Sequence, residues 1–325
     1  MDAKEKIIKF TKELGIDIIG FTECRRFEEL EDFFRYREEN KLFNEFEEQD
    51  IEKKLNPKLL MTDGETIISI AFPYYHGEGD SEHGFSLYTK GTDYHKVLKG
   101  YLKKICEFIE TIGGRAESFV DSNPLPERYI AAKSGIGFIG KNNTLITEKY
   151  GSYVFLGEII TNLKLKVDEP KGYGCMGCNL CVKKCPTNVI IDDVKSFNSS
   201  CCVSYLTQKK HLELIELPMI EGNIFGCDAC QKICPHNKDI DISWIQEFIP
   251  MKYMKEVDLL SLIKLDNKGF KEIYSNHSCG WRGKNLLIRN GLINYYFMYN
   301  DDKDEIKEVI KSPYIKEYYD MLFKQ

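Results

Sequence analysis

A chain of 325 residues with a formal net charge of −6 is long enough for more than one domain and too acidic overall for a general nucleic-acid coat. Hydrophobic residues (42%) and charged residues (30%) stand in globular proportions. The MDAKEKIIKF start lacks a signal-peptide core and no run reaches the ~18 apolar residues of a membrane span, so twelve cysteines in a cytoplasmic chain point to metal ligands rather than disulfides.

Ile7, Ile8, Thr11 and Leu14 recur at helical spacing, and Gly15 ends that helix. Ile16–Phe21 reads as a strand interrupted by Asp17. Residues 28–54 read as charged helix and loop, Thr66–Tyr74 as a buried strand, and His76–Gly84 as a Gly- and His-rich loop. The clearest helix spans Tyr94–Ile112, where Leu98, Tyr101, Leu102, Ile105, Phe108, Ile109 and Ile112 form one apolar stripe closed by Gly113-Gly114. Cys106 lies near that stripe as a small core residue. A strand over Glu117–Asp121, a helix over Leu125–Ser134 closed by Gly135, and a strand over Tyr153–Leu163 follow. Strands and helices interleave, so residues 1–165 read as one α/β domain. A cysteine-rich domain (166–245) and a helical region (246–325) come next; the charged stretch Asp301–Lys311 reads as a solvated face.

Cys175, Cys178, Cys181 and Cys185-Pro186 give C-x2-C-x2-C-x3-C-P, the bacterial ferredoxin spacing. Three cysteines at two-residue gaps wrap three corners of an iron–sulfur cube, and the fourth is carried by a helix to the other cluster. A degenerate second copy, Cys227, Cys230 and Cys234-Pro235, takes Cys202 from upstream. The crossover rule assigns Cys175, Cys178, Cys181 and Cys234 to one [4Fe–4S] cluster, and Cys185, Cys202, Cys227 and Cys230 to the other. Cys201 competes with Cys202, and a pair of zinc sites is the alternative use of eight thiolates. Cys24 and Cys279 are left over as structural residues. Two clusters in series conduct electrons but do no chemistry, so the domain before them is expected to hold a reducible substrate or a second cofactor.

The segments VDSNPLPERYIAAKSGIGFIGKNNTLI (Val120–Ile146), YGSYVFLGEIITNL (Tyr150–Leu163), SCCVSYLTQKK and NIFGCDACQKICPHNK closely resemble the epoxyqueuosine reductases. So do GTDYHKVLKGYL (Gly91–Leu102), DIEKKLNPKLL (Asp50–Leu60) and SCGWRGKNLLIRN (Ser278–Asn290), and the likeness runs in order along nearly the whole chain. It implies an α+β or α/β fold: a nitroreductase-like cobalamin-binding domain akin to the core of reductive dehalogenases, the two-cluster domain, and a short C-terminal helical region. It also implies reductive removal of the epoxide oxygen of epoxyqueuosine at a tRNA wobble position, with cobalamin reduced to Co(I) by the clusters.

In that resemblance Asp121 is the proton donor, expected in an apolar pocket that keeps it protonated; read from the residues alone it would be a helix-capping strand-end aspartate. Arg128 matches an arginine that contacts substrate or cofactor, Lys54 a basic cobalamin contact, and Tyr94, Leu145 and Leu156 segments lining the corrin. Asp93 and His95 begin the D-x-H-x-x-G pattern of methyltransferase-type cobalamin proteins, but Leu98 replaces its glycine, so base-off cobalamin without a protein histidine ligand is expected. Family members often carry a longer C-terminus with helical repeats, and Ser86 or its neighbours replace a cysteine found in some. Trp281, Arg282, Lys284 and Arg289 are the basic, aromatic residues expected to meet tRNA. A low-potential ferredoxin or flavodoxin-type donor, a monomer and no membrane complete the expectation. The alternatives are another corrinoid reductase of a small molecule, or a corrinoid-activating electron-transfer protein, which would need no proton donor at Asp121.

Overall fold

The computed structural model describes residues 1–77, 84–301 and 304–324. Most of the loop expected at His76–Gly84, and residues 302–303 of the charged stretch, lie outside them. The described chain forms two compact units, and neither is a continuous stretch. One holds residues 1–75, 94–199 and 230–246; the other holds 76–93, 200–229 and 247–325. The boundary expected at 245 falls within one residue of a change of unit, whereas that expected at 165 lies inside the first unit.

The first unit is built on a four-stranded sheet in the order Ile19–Glu23, Thr66–Pro73, Val154–Thr161, Ala116–Phe119, every pair antiparallel. Interleaved strands and helices suggested parallel crossovers. The long excursions between strands instead bring each one back from the opposite end, and α+β is the class observed. The first strand starts three residues later than Ile16 because Asp17 is an anchor outside the ladder: its Oδ2 accepts from Lys149 Nζ at 2.5 Å and Tyr150 OH at 2.8 Å. All eight residues of Thr66–Pro73 are buried, as a central strand covered on both faces requires.

The helix Tyr94–Thr111 lies against one face with Leu98, Leu102, Ile105 and Ile109 fully buried, and Gly157 admits Leu102, whose Cδ1 would meet an added Cβ at 2.9 Å. On the other face the helix Glu127–Lys133 buries Ile130 with Phe27, Met61, Ile67, Leu125 and Ile160. The helix Ala3–Glu13 opens with a capping box in which Asp2 and Glu5 each accept the other's backbone N–H. The late segment 230–246 is stitched into this unit. Gln231 Nε2 donates to Ser152 O at 2.9 Å, Ser243 Oγ donates to Pro73 O at 2.6 Å, and Trp244 lies edge-on to Tyr101.

The second unit is organised by the helix Lys284–Tyr299, whose residues 286–295 are all buried. Arg289 sits inside it with no exposed surface, donating to the carbonyls of Lys209 at 2.5 Å and Lys210 at 3.2 Å. Asn290 Nδ2 reaches Thr207 O and Ile224 O, both at 2.7 Å. Arg289 is thus an internal strut and not part of a phosphate-binding face. The motif hid this because a helix buried all round has no polar side to betray it. Trp281 stays exposed, with Arg282 over its ring at 4.9 Å. Among the described residues no helix is long and apolar enough to cross a membrane.

Candidate active site and cluster site

A cavity of about 580 Å³ opens in the first unit between the 30–54 region and the segment 121–129. Asp121 lies two residues beyond the strand Ala116–Phe119, with φ of +52°. A non-glycine residue there costs of order 1 kcal/mol and persists where its surroundings dictate it. Here Asp121 N–H donates to Glu127 Oε1 at 2.8 Å and its carbonyl accepts Asn123 N–H at 2.7 Å. The side chain is 58% exposed and lies 3.3 Å from His95 Nε2. The apolar pocket expected around it is therefore a polar wall. Nor does Asp121 cap the following helix; Asn123 Oδ1 takes the N–H of Leu125 at 2.8 Å.

Three cations line the same cavity with Glu47 among them. Arg37 is buried, donates to Phe197 O at 2.6 Å and lies 3.6 Å from Glu47. Arg128 donates to Asn143 O. Lys54 is 5% exposed, its ammonium 3.5 Å from the centre of the Phe43 ring and 3.9 Å from Glu47. Its Nζ has no hydrogen-bond partner, and burial lowers it to about 8. A buried ammonium without an acceptor is costly, and it marks where a ligand's oxygen fits.

Behind this wall two acids meet. Glu158 stands mid-strand with no exposed surface, in register with Ser69 on one neighbour and Phe119 on the other. Its Oε1 accepts from Ser69 Oγ at 3.1 Å, Oε2 has no hydrogen-bond partner, and the Glu127 side chain lies close enough to interact with it. Burial, then the charge of Asp121, pushes Glu127 up to about 7 even though one edge of it faces the cavity. Burial, then Glu127, pushes Glu158 well above the carboxylate range.

Elsewhere in the unit, Cys175, Cys178, Cys181 and Cys234 wall a small cavity with Lys141, Asn142 and His236. Among the described residues no three ligand-type side chains converge on a point as one ion would require; a cube instead presents four separate corners. The backbone N–H of Lys141 donates to Cys175 Sγ at 3.4 Å, and the buried Asn142 Nδ2 and His236 Nε2 lack partners. Donors aimed at nothing beside four thiols fit the sulfides of a cluster. Cys185 and Cys230 belong to this unit, Cys202 and Cys227 to the other. Cys201 is exposed on a short turn, and Cys202 is half-buried at the start of the helix Val203–Leu206. Cys24, Cys106 and Cys279 are shielded, with thiols pushed up by burial, in keeping with structural roles.

Family models match at two places: "4Fe-4S double cluster binding domain" over residues 174–237, and "Epoxyqueuosine reductase QueG, DUF1730" over 54–122. The epoxyqueuosine reductase of Lactococcus garvieae is 38% identical over 297 residues, covering 88% of this chain and 84% of the relative. This chain belongs to the epoxyqueuosine reductases. A solved epoxyqueuosine reductase with an epoxyqueuosine-modified tRNA-Tyr stem loop is 33% identical, with a TM-score of 0.93 over 98% of this chain and 89% of its own. The Bacillus subtilis epoxyqueuosine reductase, solved with its catalytic aspartate loop swung out of the active site, matches at 30% identity and a TM-score of 0.86, over 99% and 98%.

Of the residues singled out in this epoxyqueuosine reductase, the cavity gathers Lys54, Asp121 and Arg128. It does not gather the other three. Tyr94 stacks on Phe155 at 4.3 Å, and Leu145 is core beside Ala71 and Ala131, with Leu156 packed against it. His95, Arg37, Glu127 and Glu158 went unrecognised as site residues. Glu158 did carry a signal, an acid in the otherwise apolar strand VFLGEIIT, and Arg37 none beyond its aromatic neighbours.

Proposed function

We propose that this chain reduces epoxyqueuosine in a tRNA anticodon to queuosine, with Asp121 as the acid that protonates the departing oxygen. The overall change consumes two electrons and two protons, turning the epoxide into an alkene and water. The observation that carries the reading is the gathering of Asp121, Arg128 and an unsatisfied Lys54 around one cavity, with His95 bonded to Asp121. His95, bonded to Asp121 Oδ2, orients the carboxyl toward bound substrate, while the backbone bond to Glu127 fixes the turn that presents it. Arg128 and Lys54 offer donors to the peripheral amides and phosphate of base-off cobalamin, in a nitroreductase-like domain. The four-thiol cavity and its unpartnered donors support one cluster, and the ferredoxin spacing of the remaining cysteines supports a second.

When bound, the clusters supply single electrons and cobalamin a low-valent cobalt centre able to pass two of them to the epoxide. We take the protein to work as a cytoplasmic monomer fed by a low-potential ferredoxin or flavodoxin-type donor, with Trp281, Arg282 and Lys284 available to RNA.

The test supplies cluster-loaded protein with cobalamin, reductant and an epoxyqueuosine stem-loop, and follows queuosine by mass. Asp121→Ala is expected to lose turnover while keeping its iron and bound cobalamin. Full activity in that variant would remove Asp121 from the chemistry, and failure of the unaltered protein to form queuosine would overturn the assignment.

A further inference from the structure

A cluster that takes up one electron gains a negative charge, and much of that charge rests on its sulfurs. Donors held against the sulfurs stabilise the reduced form and raise the potential; without them it falls. The four-thiol cavity has one such donor in the backbone of Lys141, 3.4 Å from Cys175 Sγ. The same turn lines the cavity with two side chains, Lys141 and Asn142.

We propose that the turn Gly140–Thr144 sets the reduction potential of the cluster carried by Cys175, Cys178, Cys181 and Cys234, with Asn142 donating to its sulfur and Lys141 holding its ligand loop in place. The inference rests on the reading of those four thiols as one cluster.

The turn joins the strands Phe138–Ile139 and Leu145–Ile146, and it lies with all four cysteines in the sheet-bearing unit. Gly140 N–H donates to Thr144 O at 2.9 Å and Asn143 N–H to Gly140 O at 2.8 Å, which closes it. Asn143 takes a left-handed φ of +58°, and its carbonyl accepts from Arg128. Asn142, inside this closed turn, is 6% exposed. Its Oδ1 accepts from Thr144 Oγ1 at 2.9 Å and from Thr144 N–H at 3.4 Å. A backbone N–H cannot accept, so oxygen is the amide atom on that side and the nitrogen faces away from Thr144. That nitrogen is buried and has no partner, in a residue that lines the thiol cavity. Gly140 makes room for the amide to fold back, since a Cβ there would stand 2.6 Å from Asn142 Oδ1. An amide N–H buried without an acceptor is costly, and the sulfurs of a bound cluster are the acceptors this cavity gains.

Lys141 works on the ligand loop itself. Its Nζ donates to Asn179 Oδ1 and to Asp192 Oδ1, both at 2.5 Å. Asn179 is the left-handed residue, φ +51°, between Cys178 and Cys181. The ammonium therefore grips the loop where it turns to present successive thiols. Lys141 is a positioning residue, whereas Asn142 meets the cluster.

The test is an anaerobic redox titration of protein loaded with both clusters, read by EPR. Asn142→Leu removes the donor and keeps a branched side chain. It should hold the parent's iron, lower one potential and leave the other unmoved. At the poise that half-reduces the parent's cluster, its reduced-to-oxidised ratio should fall about threefold or more, roughly 30 mV at 59 mV per tenfold. Thr144→Val, which frees the amide to rotate, should lower the same potential by less. Lys141→Met should speed iron loss to a chelator about threefold or more, and Lys141→Arg should restore the parent's rate. Parent-like potentials in Asn142→Leu, or both potentials moving together, overturn the donor role. Should Asn142→Leu fail to hold the cluster, a parent-like potential in Thr144→Val overturns it instead. Iron loss from Lys141→Met at the parent's rate overturns the strap. Cys178→Ala keeping both EPR signals would refute the four-thiol reading rather than the part played by the turn.

Discussion

Lys54→Met removes the buried ammonium while keeping an unbranched chain beside Phe34 and Phe43. Burial lowers Lys54 to about 8 from an ordinary 10.5. At ~1.4 kcal/mol per unit, holding the charge costs the folded protein on the order of 3 kcal/mol. The ring contact with Phe43 offsets about 1–2 kcal/mol of that. Methionine should therefore raise stability by about 1–2 kcal/mol near pH 7, roughly 2–5 °C in Tm. The sign follows from linkage. The folded value lies below the unfolded one, so the unfolded chain binds more protons between about 8 and 10.5. The penalty is complete below pH 8 and fades as pH climbs through that window, and the advantage of methionine must fade with it. Thermal unfolding of cluster-loaded protein under anaerobic conditions at about pH 7 and pH 10, followed by tryptophan fluorescence, measures both. Destabilisation at neutral pH, or a Tm difference indifferent to pH, would refute the reasoning. The same variant should bind cobalamin more weakly, since the unsatisfied Nζ is what the cavity offers an acceptor.

Cys202→Ser should lose one cluster by iron content and EPR while Cys201→Ser keeps both; the reverse pattern would exchange their roles. Gly20→Ala should lower stability by several kcal/mol in urea titration, because a Cβ there meets the carbonyl oxygen of Ser134 and lies 2.6 Å from Ile136 Cγ2; a change under about 0.5 kcal/mol would contradict that packing. Arg289→Met should cost about 3 kcal/mol or more by stranding the carbonyls of Leu206, Thr207, Lys209 and Lys210; an unchanged urea midpoint would return Arg289 to the surface.

The cysteine spacing was legible because three ligands of a cube fall within one short loop, where geometry is local. The helix Tyr94–Thr111 was legible for a similar reason, its stripe repeating every turn. Asp121 came from resemblance; its environment did not, since His95 and Glu127 reach it by a turn whose left-handed residue no pattern announces. Glu158 and Arg289 show the other limit. Each is a charge inside an apolar run, and whether it is a site or a strut depends on partners far along the chain: Ser69 and Glu127 for one, Lys209 and Lys210 for the other. The antiparallel sheet order was hidden in the same way, being a property of which strands meet rather than of any strand.

The threading of the chain through two units has a consequence for biosynthesis. The sheet-bearing unit needs residues 230–246 for Ser243, Trp244 and the thiol of Cys234, so a ribosome must release most of the chain before that unit can close. Folding from the N-terminus one domain at a time is not open to this protein. A fragment ending near residue 165 would expose the Ser152 and Pro73 bonding sites and the face of Tyr101 that Trp244 covers. Iron–sulfur assembly machinery would then meet a nearly finished chain, with the thiol of Cys234 arriving late.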